Sequence, residues 1–182
     1  MPEDALFLMQ LKTGDPTAFV ELVAQFEGPL YRFFYCDHRD HHLAQEQTAE
    51  TFGKLVKSLT SQRTMCANLR AYVFGTARHV QLRRIRARGR EQLPLADAAE
   101  MSDPGPSPEA VAAEREELAR VLAAIDGLEE TQRNVLLLRF VESCSIEDVA
   151  EALKIPVGTV KSHIHRGRAR LTQVLAAKEH KA

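Results

Sequence analysis

The sequence predicts an all-α protein: two small helical domains joined by a flexible linker, the C-terminal one containing a helix-turn-helix. Three observations predict it. Apolar residues recur at helical spacing along most of the chain, and no stretch alternates like a strand. Composition breaks sharply at residues 91–109, where Pro94, Pro104, Pro106 and Pro108 stand among Asp, Ser, Gly and Glu, a mixture with little means of burying itself. Two short apolar stripes, interrupted by Lys154-Ile155-Pro156, lie near the C-terminus. The expected boundaries are 1–90 for the first domain, 91–109 for the acidic linker and 110–182 for the second domain.

In the first domain, Gly14-Asp15-Pro16 marks a helix start. Asp15 can accept from free backbone amides, and Pro16 suits the first helical position. Phe19, Leu22, Val23, Phe26 and Leu30 follow as its inward stripe, with a kink expected at Pro29. Residues 36–42 are polar and read as a loop. A second helix is expected from about His42 to Leu59, with Thr48, Phe52, Leu55, Val56 and Leu59 inward. A loop over 58–66 then leads to a third helix from about Ala67 to Arg88, with Leu69, Tyr72, Val73, Ala77, Val80 and Ile85 inward.

Beyond the linker, Val111, Leu118, Val121, Leu122 and Ile125 describe an amphipathic helix ending near Gly127. Another is expected over 130–140. Ser145-Ile146-Glu147-Asp148 has the form of a capping box, and Ile146, Val149, Ala150 and Leu153 form the buried stripe of a short helix. A last helix starts near Val157, with Val160, Ile164 and Leu171 inward and Gly167 giving room for close packing. Thr159, Lys161, Ser162, His163, His165, Arg166 and Arg170 are left facing out.

Charge is segregated rather than balanced, although the net value is only −1. Residues 62–90 hold eight arginines and no acid, 91–117 hold eight acids and one arginine, and 154–182 hold seven basic residues and one acid. Basic blocks on helices attract phosphate in a salt-dependent way. A short helix, a tight turn and a second helix with a basic outer face suit a DNA major groove, the first exposed residues at base edges and the arginines on phosphate. No apolar run reaches the roughly 18 residues of a membrane span. The acidic start is unlike a secretory signal, and three scattered cysteines argue against a disulfide framework. A cytoplasmic protein without membrane insertion is expected.

The segments Val135-Leu136-Leu137-Leu138-Arg139-Phe140, Ser145 to Leu153, Gly158-Thr159-Val160-Lys161-Ser162, His165-Arg166 and Arg168-Ala169-Arg170-Leu171 resemble the C-terminal domain of bacterial sigma factors. They are most similar to the extracytoplasmic-function (ECF) group of the sigma-70 superfamily. Gly14 to Phe19, Ala44-Gln45-Glu46 with Glu50-Thr51-Phe52, and Ala71 to His79 with Arg83-Arg84 resemble the same family's first domain, so the likeness runs from about residue 5 to 175.

The resemblance implies two partners, core RNA polymerase and promoter DNA, and no catalytic residues, cofactor or metal. It assigns Glu46, Ala49, Glu50 and Lys54 to polymerase docking. Asn68, Arg70, Arg78, His79, Arg83, Arg84 and Arg86 fall to the minus-ten element, and the seven outward residues of the last helix to the minus-thirty-five element. An anti-sigma factor is a further partner that the family suggests. The chain departs from the family pattern at Glu46 (usually Asp), Ala49 (Gln), Tyr72 (Trp), His79 (Asn) and His163 (Arg).

Two other functions fit parts of the pattern. One is a helix-turn-helix regulator acting without polymerase, which the arginine-rich third helix argues against. The other is a sigma mimic that titrates an anti-sigma factor. Cys36, His38, His41 and His42 lie within seven residues, but without a Cys-x-x-Cys pair or a second ligand cluster they read as a solvated loop, not a zinc site. Strands, or arginines buried against the chain's own acids, would contradict the sigma-like reading.

Overall fold

The computed structural model describes residues 2–61, 68–88, 125 and 127–179. Seven α-helices and one π-helical turn make up the regular structure among these residues: α1 Pro2–Thr13, α2 Pro16–His38, α3 His41–Leu59, α4 Leu69–Arg88, α5 Glu130–Leu136, the π-turn Leu137–Val141, α6 Ile146–Leu153 and α7 Val157–Glu179. The acidic linker and most of the amphipathic segment before Ile125 lie outside the described residues.

Local chemistry sets the helix ends. The Asp15 carboxylate accepts from Thr17 N at 2.9 Å, with Pro16 in the first turn of α2. The 36–42 segment is not the loop expected from its polarity. α2 runs on to His38, Arg39 closes it in the left-handed conformation, and Asp40 caps α3 by accepting from Leu43 N at 3.0 Å. Only two residues separate the helices, and the polarity that suggested a loop belongs to part-buried side chains with partners inside the fold. Asn68 Oδ1 caps α4 through Ala71 N at 3.0 Å. The expected helix over 130–140 widens after Leu136, and Glu142 N bonds Leu137 O at 3.1 Å.

α1 was not legible as a helix. Leu8 and Leu11 point inward, but Leu6 and Met9 are exposed, so its apolar stripe is smeared. Val23, Val56 and Ile85, expected inside, are also exposed. In α2 the face is set by Leu22, Phe26, Leu30 and Phe33. Val23 sits one position, about 100°, off that line.

The core is continuous across the two halves. Phe26, Phe33, Phe34, Leu55, Phe74 and Ala77 from the first pack in one cluster with Leu138, Val149, Leu153 and Val160 from the second. α4 joins them, lying against α3 on one side and α6 on the other. α6 lies against α4 at Gly75, where a β-carbon would stand 3.5 Å from the Ala152 carbonyl, an ordinary van der Waals contact.

Phe74 meets Phe26 edge-on, with ring centroids 6.5 Å apart, and Phe33 at 5.9 Å. Phe74→Ala should therefore lower stability by about 3–5 kcal/mol in urea unfolding. A cost below about 1 kcal/mol would mean that these rings are not the centre of the core.

Cys144 is buried beside Glu142, and its thiol lies 3.8 Å from the Glu142 carbonyl. Burial pushes its pKa up from 9.0 to about 11, against the pull of Arg70. The folded chain thus keeps a proton that the unfolded chain releases. This contribution to stability is full below pH 9.0 and is lost as pH rises towards about 11. Denaturation between these limits should show an alkaline loss of about 2–3 kcal/mol that is missing from Cys144→Ala.

Candidate nucleic-acid interface

The helix-turn-helix is built from its cap outward. Ser145 Oγ accepts from Asp148 N at 3.0 Å, and Asp148 Oδ2 accepts from Ser145 N at 3.0 Å, which closes the capping box. Val149, Ala152 and Leu153 are buried. Lys154 ends α6 in the left-handed conformation at φ 56°, and α7 begins three residues later. A β-carbon on Gly167 would stand 2.6 Å from Leu136 Cδ1, so a larger residue there would force the Leu136 side chain to shift where α7 packs on α5.

The outer face of α7 carries Lys161, Ser162, His165, Arg166 and Arg170, all exposed, with Thr159 half-buried at its edge. Ser162 Oγ donates to Gly158 O at 3.0 Å. His163 does not join this face. It is 7% exposed and its backbone carbonyl accepts from Gln132 Nε2 at 3.5 Å. The spacing Val160, His163, Ile164, Gly167 is itself the inward i, i+3, i+4, i+7 stripe, and the polarity of the imidazole hid it. Arg168, absent from the expected set, is exposed and lies over the Phe140 ring at 6.0 Å.

The α4 residues divide into two groups. His79, Arg83 and Arg86 are exposed. Arg83 pairs with Glu50, which also holds Lys54 at 3.6 Å, and Arg84 reaches Glu46 at 3.4 Å. The acids expected to dock on polymerase therefore adjoin arginines expected to hold DNA, on one α3–α4 surface that also exposes Ala49.

Asn68, Arg70 and Arg78 face the second half instead. Asn68 Nδ2 donates to Asp148, Arg70 donates to the Glu142 carbonyl at 2.9 Å, and Arg78 pairs with Glu130. The single open cationic track expected along α4 is thus interrupted at these three residues. Among the described residues there is no strand. The Arg83 and Arg84 pairs are open to solvent, but Arg78 is largely covered against Glu130 and Arg133 against Asp37, contrary to the expectation that no arginine is buried against the chain's own acids.

Sequence reasoning missed the acids that meet these cations. Glu142, with a side chain 2% exposed, accepts from Arg32 Nε and NH2 at 2.9 Å each. The Glu142 bond pushes the Arg32 pKa up. Asp37 takes Arg133 at 3.1 Å. No local signal links positions this far apart in the chain.

The cluster around residues 36–42 is occupied internally. His38 Nε2 lies 2.8 Å from Gln47 Oε1, and Tyr31 OH hydrogen-bonds His41 Nδ1. Among the described residues, no group of three His, Cys, Asp or Glu is arranged to hold a metal ion.

A capped helix-turn-helix with a cationic outer face, on an all-α body bearing a second arginine-rich helix, defines a helical DNA-binding protein. The family model described as sigma-70, region 4 matches residues 118–171. The ECF RNA polymerase sigma factor SigE of Mycolicibacterium smegmatis is 32% identical over 170 residues, 90% of this chain and 65% of that protein. The RNA polymerase sigma-H factor of Pseudomonas aeruginosa is 30% identical over 186 residues, covering 95% of this chain and 94% of that one. The sigma factor RpoE of Bartonella quintana, solved with the anti-sigma factor NepR, shares the fold with a TM-score of 0.70 at 24% identity, over 87% of this chain and 96% of that one. The chain belongs to the extracytoplasmic-function RNA polymerase sigma factors of the sigma-70 superfamily.

The buried position of His163 generates a test. His163→Ala should cost about 1–3 kcal/mol of stability while the folded protein keeps its affinity for duplex DNA. Affinity lost without any loss of stability would mean that the imidazole touches DNA.

Proposed function

We propose that the chain docks on core RNA polymerase, selects promoters and opens them, and performs no chemistry itself. The exposed cationic face of α7 above a fully formed capping box carries this reading. Lys161, Ser162, His165, Arg166 and Arg170, with Thr159 at the edge, read the minus-thirty-five duplex; His163 supports them from below. His79, Arg83, Arg84 and Arg86, together with Asn68, Arg70 and Arg78 once uncovered, receive the minus-ten strand. Separated strands need a cationic track and stacking surfaces, and α4 supplies the cations. Glu46, Ala49, Glu50 and Lys54 on α3 dock on polymerase. Strand opening then draws on binding energy, and the polymerase forms the phosphodiester bonds.

The division of labour follows three segments: 1–90 for polymerase and minus-ten contacts, 91–109 as acidic linker, and 110–182 for the upstream duplex. The likeness to a sigma factor solved with an anti-sigma factor supports a protein inhibitor as a further partner. No described helix is long and apolar enough to cross a membrane, and the cytoplasm, where polymerase and DNA are, is the expected site of action.

Core polymerase supplied with this chain should initiate at defined start sites, mapped by the 5′ ends of the transcripts. Failure of the two to associate at low salt, with any inhibitor removed, would overturn the reading. Lys161→Ala should weaken specific duplex binding by about 1–3 kcal/mol, and Arg166→Ala should reduce the slope of log affinity against log salt by about one. Equal losses on unrelated sequences for Lys161→Ala would make it a phosphate contact rather than a base reader.

A further inference from the structure

A cleft of about 440 Å³ lies among α3, α4 and α6, within the roughly 300–1,000 Å³ of small-molecule sites. Basic groups from all three helices line it: Lys54 from α3, Arg78 and His79 from α4, and Lys154, which closes α6. Among the described residues that line it, Glu151 is the one acid.

Two of the basic groups are already engaged. Arg78 pairs with Glu130 and donates to Gln81 at 2.8 Å, and Lys54 stands 3.6 Å from Glu50. His79 and Lys154 are exposed, and among the described residues neither has a carboxylate partner. Lys154 sits at φ 56°, where Gly or Asn is usual. The fold thus accepts strain at a residue that adds positive charge to the cleft.

Positive groups gathered in a cleft with low-dielectric walls raise the local concentration of anions. The rest of the lining narrows the ligand. Tyr72 and Leu82, both part-buried, place an aromatic ring and an apolar side chain beside the charges. An inorganic anion would use only the charges, and duplex DNA is far too large for the space. A nucleotide uses both. Basic groups on three different helices favour a chain of phosphates over a single one.

We propose that this cleft binds a nucleoside triphosphate, with its phosphates on Lys154, His79 and Lys54 and its base against Tyr72 and Leu82. The His79 imidazole can donate from its ring whether neutral or charged. A nucleotide held there occupies His79 and so competes with the minus-ten strand. That competition rests on the reading of α4 as the minus-ten face; the binding does not.

The test uses the full-length chain in titration calorimetry at low salt. The probes are ATP and GTP, with adenosine, guanosine and inorganic tripolyphosphate for comparison. One of the triphosphates should bind as a single saturable ligand, tripolyphosphate more weakly, and the nucleosides not at all. Lys154→Gln should weaken binding about fivefold and Glu151→Gln should tighten it by a similar factor, the scale of one partly screened charge. Both residues are exposed, and a gain in Glu151→Gln does not arise from misfolding. Tripolyphosphate binding as tightly as the nucleotides, or nucleotide binding unmoved by both substitutions, would overturn the proposal. So would a lack of nucleotide binding, including the case in which a single-stranded DNA oligonucleotide shows the Lys154 and Glu151 dependence instead. A nucleotide that binds as expected but does not displace that oligonucleotide would uphold the site and overturn the assignment of His79 to the minus-ten strand.

Discussion

The structure depends on α4 being shared. Val73, Phe74, Ala77 and Val80 are almost wholly buried. The same helix packs on α3 within the first half and on α6 of the second. A helix packed on one side presents one apolar stripe and leaves its other face polar. α4 instead carries a stripe for α3, a second contact face for α6, and arginines at the margins. The two halves therefore form one core around a helix whose edges are cationic. What each half can offer to nucleic acid is governed by how α4 is flanked.

The two cationic helices experience this arrangement differently. α7 presents Lys161, His165, Arg166 and Arg170 to solvent, with an acid-free outer face. α4 is ringed by carboxylates: Glu46 and Glu50 from its own half, Glu130 and Asp148 from the other. Exposed pairs such as Arg84–Glu46 are worth about 0–1 kcal/mol and yield readily to phosphate. The Glu142 clamp is different, because its carboxylate is out of water and both oxygens are satisfied by one guanidinium. Breaking one partner away leaves a buried charge, so that contact holds or releases as a unit. The cations of α7 are open to solvent, and Arg70 and Arg78 of α4 are engaged by the other half.

Much of this was legible in the sequence where the cause is local. Asp15 before Pro16, and Ser145 three residues before Asp148, specify helix starts through the bonds their side chains can make, and the structure has those bonds. The outer face of α7 followed from periodicity, apart from His163, where residue type was weighed above position. Polarity also misled at residues 36–42, since His38 and His41 are engaged with Gln47 and Tyr31 rather than with solvent. The α1 helix was hidden because its apolar residues do not fall on one face. The Glu142–Arg32 clamp had no signal at all. A pair separated by 110 positions leaves no trace in local spacing, and an acid at the end of a π-turn looks like any surface glutamate.

A closed state of this kind is useful only within an energy window. Were the interface as apolar as the Phe26–Phe33–Phe74 centre, separation would expose that surface to water at about 25 cal/mol per Å², and no weak ligand could displace it. Were it made only of exposed pairs, salt would dissolve it. A few charged contacts, with Glu142 and the Asp37–Arg133 pair well covered and Arg32 half-exposed, fall between these limits. A partner can shift such an equilibrium only by its preference for the open form. Any ligand that takes Arg70 or Arg78 must first displace the Glu142 carbonyl or the Glu130 carboxylate, so its binding energy is spent partly on the contacts that hold the halves together.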